Sequence, residues 1–419
     1  MSIQRDTTVG TFAKAGHPGI DFDDFHRVEL PRRLREGVSE KILWDVSGVA
    51  PIAVQLPNGS AYSYVAGRDR VEIVPGVVDD AEVVLEIPYV AWQDYVYEFR
   101  TRAGLLYSHA VEFVRGDYER WDAWEPAIRC MYSGRPIYNP AELNLVDLNG
   151  SPLDLKRSFT LDDPDEQIGH FLRTTGFLVI KGAFTDRLEA IAAEVDRLRD
   201  EARENELWSW WTADQKTGKR FPYRLLYMAQ RSALIAALDN DPTIRRLVNL
   251  CGAEVVPVPD RVEGHLAVLK PFGNNADVSS GFATLPWHKD CGLGGCTLTC
   301  PGVQVGIQLD AANAQSSQLW MMAGSAGKVC HDNPTAQQLA EWPIVALETE
   351  AGDATVHLTC GLHAGPKPTG PNPRRTLYVP FYNPRTYNLV GPLQGYQQVI
   401  PGWGGSGDIP NVEELQQQY

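Results

Sequence analysis

Two stretches in the second half of the chain carry side chains that can hold a metal ion. "LPWHKDCGLGG", Leu285 to Gly295, sets His288 and Asp290 one residue apart. In an extended segment side chains alternate between faces, so this pair projects together while Trp287 and Lys289 point away. Further on, "GDATVHLTCGLHAGPKPTGPNPRRTLYVPF" supplies two candidate third ligands, His357 and His363, ahead of Arg374 and Arg375. Two histidines and one carboxylate leave three open positions on an octahedral Fe(II), the arrangement that dioxygen activation needs. The triplet alone does not make a site, because a buried histidine is more often a hydrogen-bonded core residue than a ligand.

The neighbouring residues sort by the same alternation. On a strand Arg374 and Arg375 face opposite ways. One can meet a carboxylate inside a barrel through a charge-assisted, bidentate pair, and the other points to solvent or a surface ion pair. "GVQVGIQLD" places Gln304, Gly306 and Gln308 on one face, with Gln304 a candidate hydrogen-bonding group for cosubstrate or substrate. Cys291, Cys296, Cys300, Cys330 and Cys360 form no C-x-x-C knuckle, so buried free thiols are expected rather than a zinc site.

The elements that must position these groups fall into two units, as 419 residues exceed the usual single core. Residues 1–40 are polar and lack a clear period, which reads as an N-terminal arm. Residues 41–140 read as a small α+β domain: short β-branched and aromatic runs are split by "PNGS" and "AGRD", and a helix follows in "EIPYVAWQDYVYEF". Residues 141–155, rich in Pro, Asn and Asp, read as a linker. In residues 156–400 "DEQIGHFLRTTGFLVI" reads as helix, Gly176 and strand. Thr185 to Ala202 has apolar residues at helical spacing behind a capping Thr or Asp. After Asn249 come "HLAVLK", "GVQVGIQLD", "QLWMMAG", "DATVHLT" and "TLYVPFY", the texture of an antiparallel barrel or jelly roll. Residues 401–419 read as a C-terminal tail.

The region from about Asp165 to Asn383 resembles the phytanoyl-CoA dioxygenase family of Fe(II)- and 2-oxoglutarate-dependent oxygenases. The resemblance lies in "TTGFLVIKGAFTD" with "EAIAAEVDRLRDEA", in "LPWHKD", in "VGIQLDAANAQSSQLWMMAGSAGK" and in "GLHAGPKPTGPNPRR", all in that family's order. It implies a double-stranded β-helix, or jelly roll, with flanking helices. It implies Fe(II) held by His288, Asp290 and His363, since the family's count from Gly352 reaches His363 and leaves His357 a packed neighbour. It implies 2-oxoglutarate, used with O2, bound by Arg374. That family often has an aromatic at the position of Gly306, so a roomier site is expected here. The first domain more faintly resembles the sterol-carrier-protein-2-like fold, on "VAPIAVQLPNGSAYSYVAG", "DDAEVVLEIPYVAWQDYVYEF" and "HAVEFVRGD". That likeness implies an apolar ligand held between helices and sheet, with dimerisation or covering of the barrel mouth as the rival role.

The formal charge of -15 argues against bulk attraction to nucleic acid or an anionic membrane. No apolar run is long enough to span a bilayer, and the N-terminus lacks a signal-peptide core. With mostly unpatterned cysteines, a cytoplasmic protein is expected. The resulting expectation is a dioxygenase that oxidises an unactivated C–H bond, by hydroxylation, of a small and largely apolar acyl, terpenoid or steroid metabolite. A lipid carrier with an inert barrel and a metal-dependent hydrolase are the rival classes. A homodimer is the expected assembly.

Overall fold

The structure is a computed structural model that describes residues 13–385 except 14, 205, 207, 260–262, 276–284, 294–299, 332 and 333. Cys296 and the C-terminal tail lie outside the described residues. The first sheet contains β1 (Ile52–Gln55), β2 (Ala61–Ala66), β3 (Val71–Pro75), β4 (Val83–Glu86) and β5 (Glu112–Arg115) in the order β3-β2-β1-β4-β5. β1 pairs antiparallel with β2 and parallel with β4, and as the central strand it is buried on both faces. Helices Tyr89–Val96, Arg102–Tyr107, Tyr118–Asp122 and Glu125–Ser133 accompany the sheet. Trp92 and Trp121 on these helices, and Trp124 at the N-cap of the last, share one core with Tyr62, Tyr64 and Tyr95.

The segment expected to be an arm is helical from Phe22 to Val46 and supplies Phe22, Phe25, Leu30, Leu34, Ile42 and Val46 to that core. Its period is hard to read because Phe25–Glu29 and Leu34–Val38 are π turns, which displace the next apolar residue from 3.6-residue spacing. Gly37, at φ 106°, adds a kink that a β-carbon would strain. Ile42 opens the segment that the sequence assigns to the α+β domain rather than to the arm. It lies in the helix Ser39–Val46, where Ile42 and Val46 fall one turn apart on the buried side.

The connection between the units is pinned rather than loose. Ile137 bridges to Val329, and the buried Tyr138 donates its hydroxyl to the Ala323 carbonyl. Leu145, Leu153 and Leu155 pack against the second core.

The second unit opens with helix Asp165–Thr175, ended by Gly176 at φ 90°, and then β6 (Phe177–Ile180). Helix Leu188–Glu201 begins later than the sequence suggests, and its N-cap, Arg187, makes no side-chain cap. The residues before it turn back instead, with the Phe184 amide donating to Gly352 O at 2.8 Å. The larger sheet adds β7 (Ser209–Ala213), β8 (Arg220–Leu225), β9 (Val256–Pro257), β10 (Leu266–Lys270), β12 (Val303–Gln308), β15 (Ala354–Leu358) and β17 (Arg374–Tyr382). It runs β6-β15-β12-β17-β10-β8-β7, with β9 on β17. The smaller sheet orders β11 (Leu285–His288), β16 (His363–Gly365), β13 (Leu319–Met322) and β14 (Ile344–Leu347). One core holds Val305, Val356 and Leu377 from the larger sheet together with Leu319, Met321 and Val345 from the smaller.

Candidate metal centre between the sheets

The smaller sheet fixes the first ligands. His288, at the end of β11, and His363, at the start of β16, are direct cross-strand partners, and their rings lie 4.1 Å apart. Asp290 opens the short helix Asp290–Leu293 two residues on. One ligand atom from each of His288, Asp290 and His363 lies within 4.8 Å of the others, a group among the described residues that could hold a metal ion. Asp290 Oδ1 is 3.6 Å from His288 Nε2 and 3.4 Å from His363 Nε2. His363 is oriented by Nδ1–H donating to the Gly361 carbonyl at 3.0 Å, which leaves the Nε2 lone pair facing the carboxylate.

The donor set fits a divalent ion. All three side chains are largely withdrawn from water, and lone pairs turned on a carboxylate in such a place need a proton or a cation between them. Burial pushes the Asp290 carboxyl up, but where protons stand between these groups the charge of protonated His363 and the hydrogen bonds from His288, His357 and His363 outweigh it and hold it well below the usual range. Burial lowers His363, and the Asp290 charge and hydrogen bond more than reverse this. His357 stands beside the set on β15, with Nε2 3.2 Å from Asp290 Oδ2.

The larger sheet supplies the polar wall. In register, Gln304 faces His357, Gly306 faces Thr355 and Tyr378, and Lys270 faces Arg374. Arg374 is 4% exposed. It donates from Nε to Thr376 Oγ1 at 3.1 Å, from Nη2 to the Tyr378 hydroxyl at 3.2 Å, and from Nη1 to the Ser317 carbonyl. Arg375 turns the other way, to Asp310 and to Asp196 on the helix Leu188–Glu201. Gln304 is buried, and its Oε1 has no hydrogen-bond partner among the described residues.

Gly306 does not enlarge the site. A β-carbon there would lie 2.6 Å from Thr355 Oγ1 and 2.8 Å from Tyr378 Cε1, so the neighbouring strands' side chains already fill the space. The aromatic is present, contributed by β17.

Lys270 and Glu263 escaped the sequence reading. Lys270 Nζ is 2.6 Å from Ser317 Oγ, and burial together with the neighbouring Arg374 charge lowers it to about 7. Its signal was available: a lysine ending an apolar strand run, cross-strand from the arginine. Glu263 pairs with Arg224 at 2.8 Å and is raised to about 7, with burial the main cause, Arg224 opposing it and the Asp290 charge adding to it. No motif marks it. Among the thiols, Cys300 Sγ lies 3.8 Å from Thr359 Oγ1, and all six described cysteines are free.

Fold and site together define a mixed α/β protein whose second unit holds a 2-His-1-carboxylate cluster between two sheets. Residues 172–376, just under half of the chain, match the family model described as phytanoyl-CoA dioxygenase (PhyH). No curated protein matches the chain. Among solved structures it is similar to AviO1 from Streptomyces viridochromogenes, at 20% identity and TM-score 0.43 over 53% of this chain and 96% of that one. EctD from S. alaskensis, solved with bound Fe, is 17% identical with TM-score 0.44 over 59% and 83% of the two chains. The non-heme alpha ketoglutarate dependent epimerase SnoN from nogalamycin biosynthesis is 15% identical with TM-score 0.39 over 52% and 83%. No helix among the described residues is long and apolar enough to cross a membrane.

Proposed function

We propose that the chain is a member of the phytanoyl-CoA dioxygenase family and acts as an Fe(II)- and 2-oxoglutarate-dependent oxygenase. The observation that carries this reading is the convergence of His288, Asp290 and His363 within 4.8 Å, with a buried arginine on the facing sheet. The double-stranded β-helix is supported by the strand order: β10, β17, β12 and β15 adjoin in one sheet, and β11, β16, β13 and β14 in the other. Bound Fe(II) with 2-oxoglutarate and O2 supplies the power to oxidise an unactivated C–H bond.

In this reading His288, Asp290 and His363 hold the metal. Arg374, kept in place by Thr376, Tyr378 and Ser317, takes the far carboxylate of 2-oxoglutarate, and Lys270 adds positive charge beside it. Gln304 offers an acceptor on the same wall. The surrounding sheets exclude water, and the wall of Tyr378, Thr355 and His357 orients what lies against it. Asp290 places an anionic oxygen where a halide would have to bind, which favours oxygen transfer over halogen transfer.

The substrate proposed is a small, largely apolar metabolite such as an acyl, terpenoid or steroid compound, with hydroxylation as the outcome, in a cytoplasmic enzyme. The first domain helps position it. That role is supported by the packing of helix Arg102–Tyr107 against the Asp290–Leu293 helix. The test is anaerobic Fe(II) titration of the full chain, then succinate formation from 2-oxoglutarate under O2 across a panel of apolar acids, terpenoids and steroids, with product masses recorded. Absence of Fe(II) binding or of succinate overturns the reading, and a chlorinated product from chloride-containing buffer overturns the role of Asp290.

A further inference from the structure

His357 lies beside the ligand set without completing it. It is 2% exposed, pairs in register with Gln304 on one side and Phe177 on the other, and sits with its ring 4.9 Å from that of His363. Its contact divides the carboxylate: Asp290 Oδ2 faces His357 Nε2 at 3.2 Å, while Oδ1 faces His288 and His363. His357 Nδ1 is buried with no hydrogen-bond partner among the described residues. A neutral imidazole has one N–H, and only Nε2 has an acceptor, so the proton belongs there and is donated to Oδ2. A buried ring that leaves one nitrogen unsatisfied is costly to keep, and its bond to Asp290 is what the position provides.

We propose that His357 is a positioning residue that engages Asp290 Oδ2 and so presents Oδ1 alone to the metal. A carboxylate free to rotate can chelate with both oxygens and occupy a position that the cosubstrate or O2 needs. Held by His357, it takes one. Hydrogen bonds to ligating carboxylates tune affinity in this way. The proposal rests on the reading of the triad as a metal site.

The test is Co(II) titration of the full-length metal-free protein, followed by visible absorption, which reports affinity and coordination number together. His357→Phe and His357→Leu remove the donor. Either is expected to bind Co(II) more weakly by roughly 10–100-fold, with an altered spectrum. His357→Gln returns an N–H to the place of Nε2 and is expected to restore both. Donorless variants that bind like the parent overturn the inference and leave the metal site standing. So does a His357→Gln protein as impaired as His363→Ala, because His357 would then be a ligand itself. If neither donorless variant folds, a His357→Gln spectrum unlike the parent's overturns it. A parent protein that takes up neither Co(II) nor Fe(II) removes the metal reading and this inference together.

Discussion

The two cores of the molecule differ in how their buried titratable groups are arranged. In the first domain most of these are paired with each other, although the Trp92 and Trp121 indole nitrogens have no hydrogen-bond partner among the described residues. His26 uses both ring nitrogens, on the Phe22 carbonyl at 2.7 Å and the Tyr64 hydroxyl at 2.8 Å. Tyr64 meets Tyr132, Tyr95 donates to Glu125, and Glu98 takes Arg129 at 2.5 Å and Arg135 at 2.6 Å. Between the two sheets of the second unit the groups converge and leave atoms unpaired. Three imidazoles turn to one carboxylate, Gln304 Oε1 and His357 Nδ1 find no partner among the described residues, and Lys270 lies cross-strand from Arg374. Like charges paired across strands are unfavourable in isolation. A satisfied network rigidifies a core, and in the proposed reading the convergent, unfinished one is where metal and cosubstrate bind.

The largest test of this contrast exchanges one histidine from each core. His363→Ala should abolish Fe(II) binding over the concentration range that saturates the parent, with little change in thermal unfolding of the metal-free protein. His26→Ala should leave Fe(II) affinity unchanged and cost about 3 kcal/mol of stability, through the cavity and the stranded Tyr64 hydroxyl and Phe22 carbonyl. Anaerobic titration and denaturant melts of both variants decide it. If His26→Ala weakens metal binding, the two cores are coupled and the contrast fails.

The residues on which the contrast turns were unequally legible in the sequence. The spacing of His288 and Asp290 and the alternation of Arg374 and Arg375 depend only on a two-residue period, which local sequence carries. So do the strands β10, β12, β15 and β17, short runs bounded by Gly, Pro, Asn or Asp. The helical nature of residues 22–46 was hidden because π turns and Gly37 break the period that would reveal it. The role of the space at Gly306 was misread because Tyr378, which fills it, comes from a strand more than seventy residues away, and register between strands is a tertiary fact. Glu263 is hidden for the same reason, since it acquires meaning only from Arg224 on β8, whereas Lys270 is visible as a lysine ending an apolar run and only its place beside Arg374 is tertiary.

The next test uses two histidines shifted in opposite directions. Burial holds His26 down to about 4, against the Phe22 hydrogen bond and the Asp23 charge, which raise it. Its folded pKa is below the unfolded value, so stability is lost as pH falls from about 6.5 towards 4. His331 joins the two units, with Nε2 2.9 Å from Asp45 Oδ1 and Nδ1 3.1 Å from the Asp122 carbonyl. Burial lowers it, but hydrogen bonding and charge from Asp45, with Asp122 adding, raise it to about 9. Its contribution is complete below about 6.5 and is lost as pH rises through 9. Each effect is at most about 3 kcal/mol. In the melting profile, His26→Phe should flatten the acid limb and His331→Gln the alkaline limb. A profile that either variant leaves unaltered removes that histidine from the comparison.

A smaller effect is expected at the polar wall. If Arg374 binds the far carboxylate as proposed, Arg374→Ala should raise KM for 2-oxoglutarate roughly 10–100-fold, as a hydrogen bond to a charged group is worth about 1.5–3 kcal/mol. Fe(II) affinity should change little, since Arg374 touches none of the three ligands in the contacts described above. Lys270→Ala should raise KM less, because Arg374 remains. Steady-state kinetics with succinate detection measures both. Equal loss of Fe(II) and 2-oxoglutarate affinity in Arg374→Ala would mean that the wall supports the metal ligands rather than the cosubstrate.

The smallest effect is expected next door, at Arg375. Its guanidinium is bidentate to Asp310, through Nε at 2.9 Å and Nη2 at 2.8 Å, and reaches Asp196 at 2.7 Å, tying β17 to the helix Leu188–Glu201. It is therefore an arginine of the completed kind in a strand whose neighbouring arginine faces the site. The pair is partly open to water, so its loss in Arg375→Ala should cost only about 1 kcal/mol, by solvent screening. KM for 2-oxoglutarate and Fe(II) affinity should stay at the parent values, because the side chain leaves the opposite face of the sheet. Asp310→Asn should lower stability by a similar amount and likewise spare the kinetics. An Arg375→Ala protein with KM raised as far as that of Arg374→Ala would show that the alternation along β17 does not separate the two arginines, and the division between a closed network and an open one would fail within a single strand.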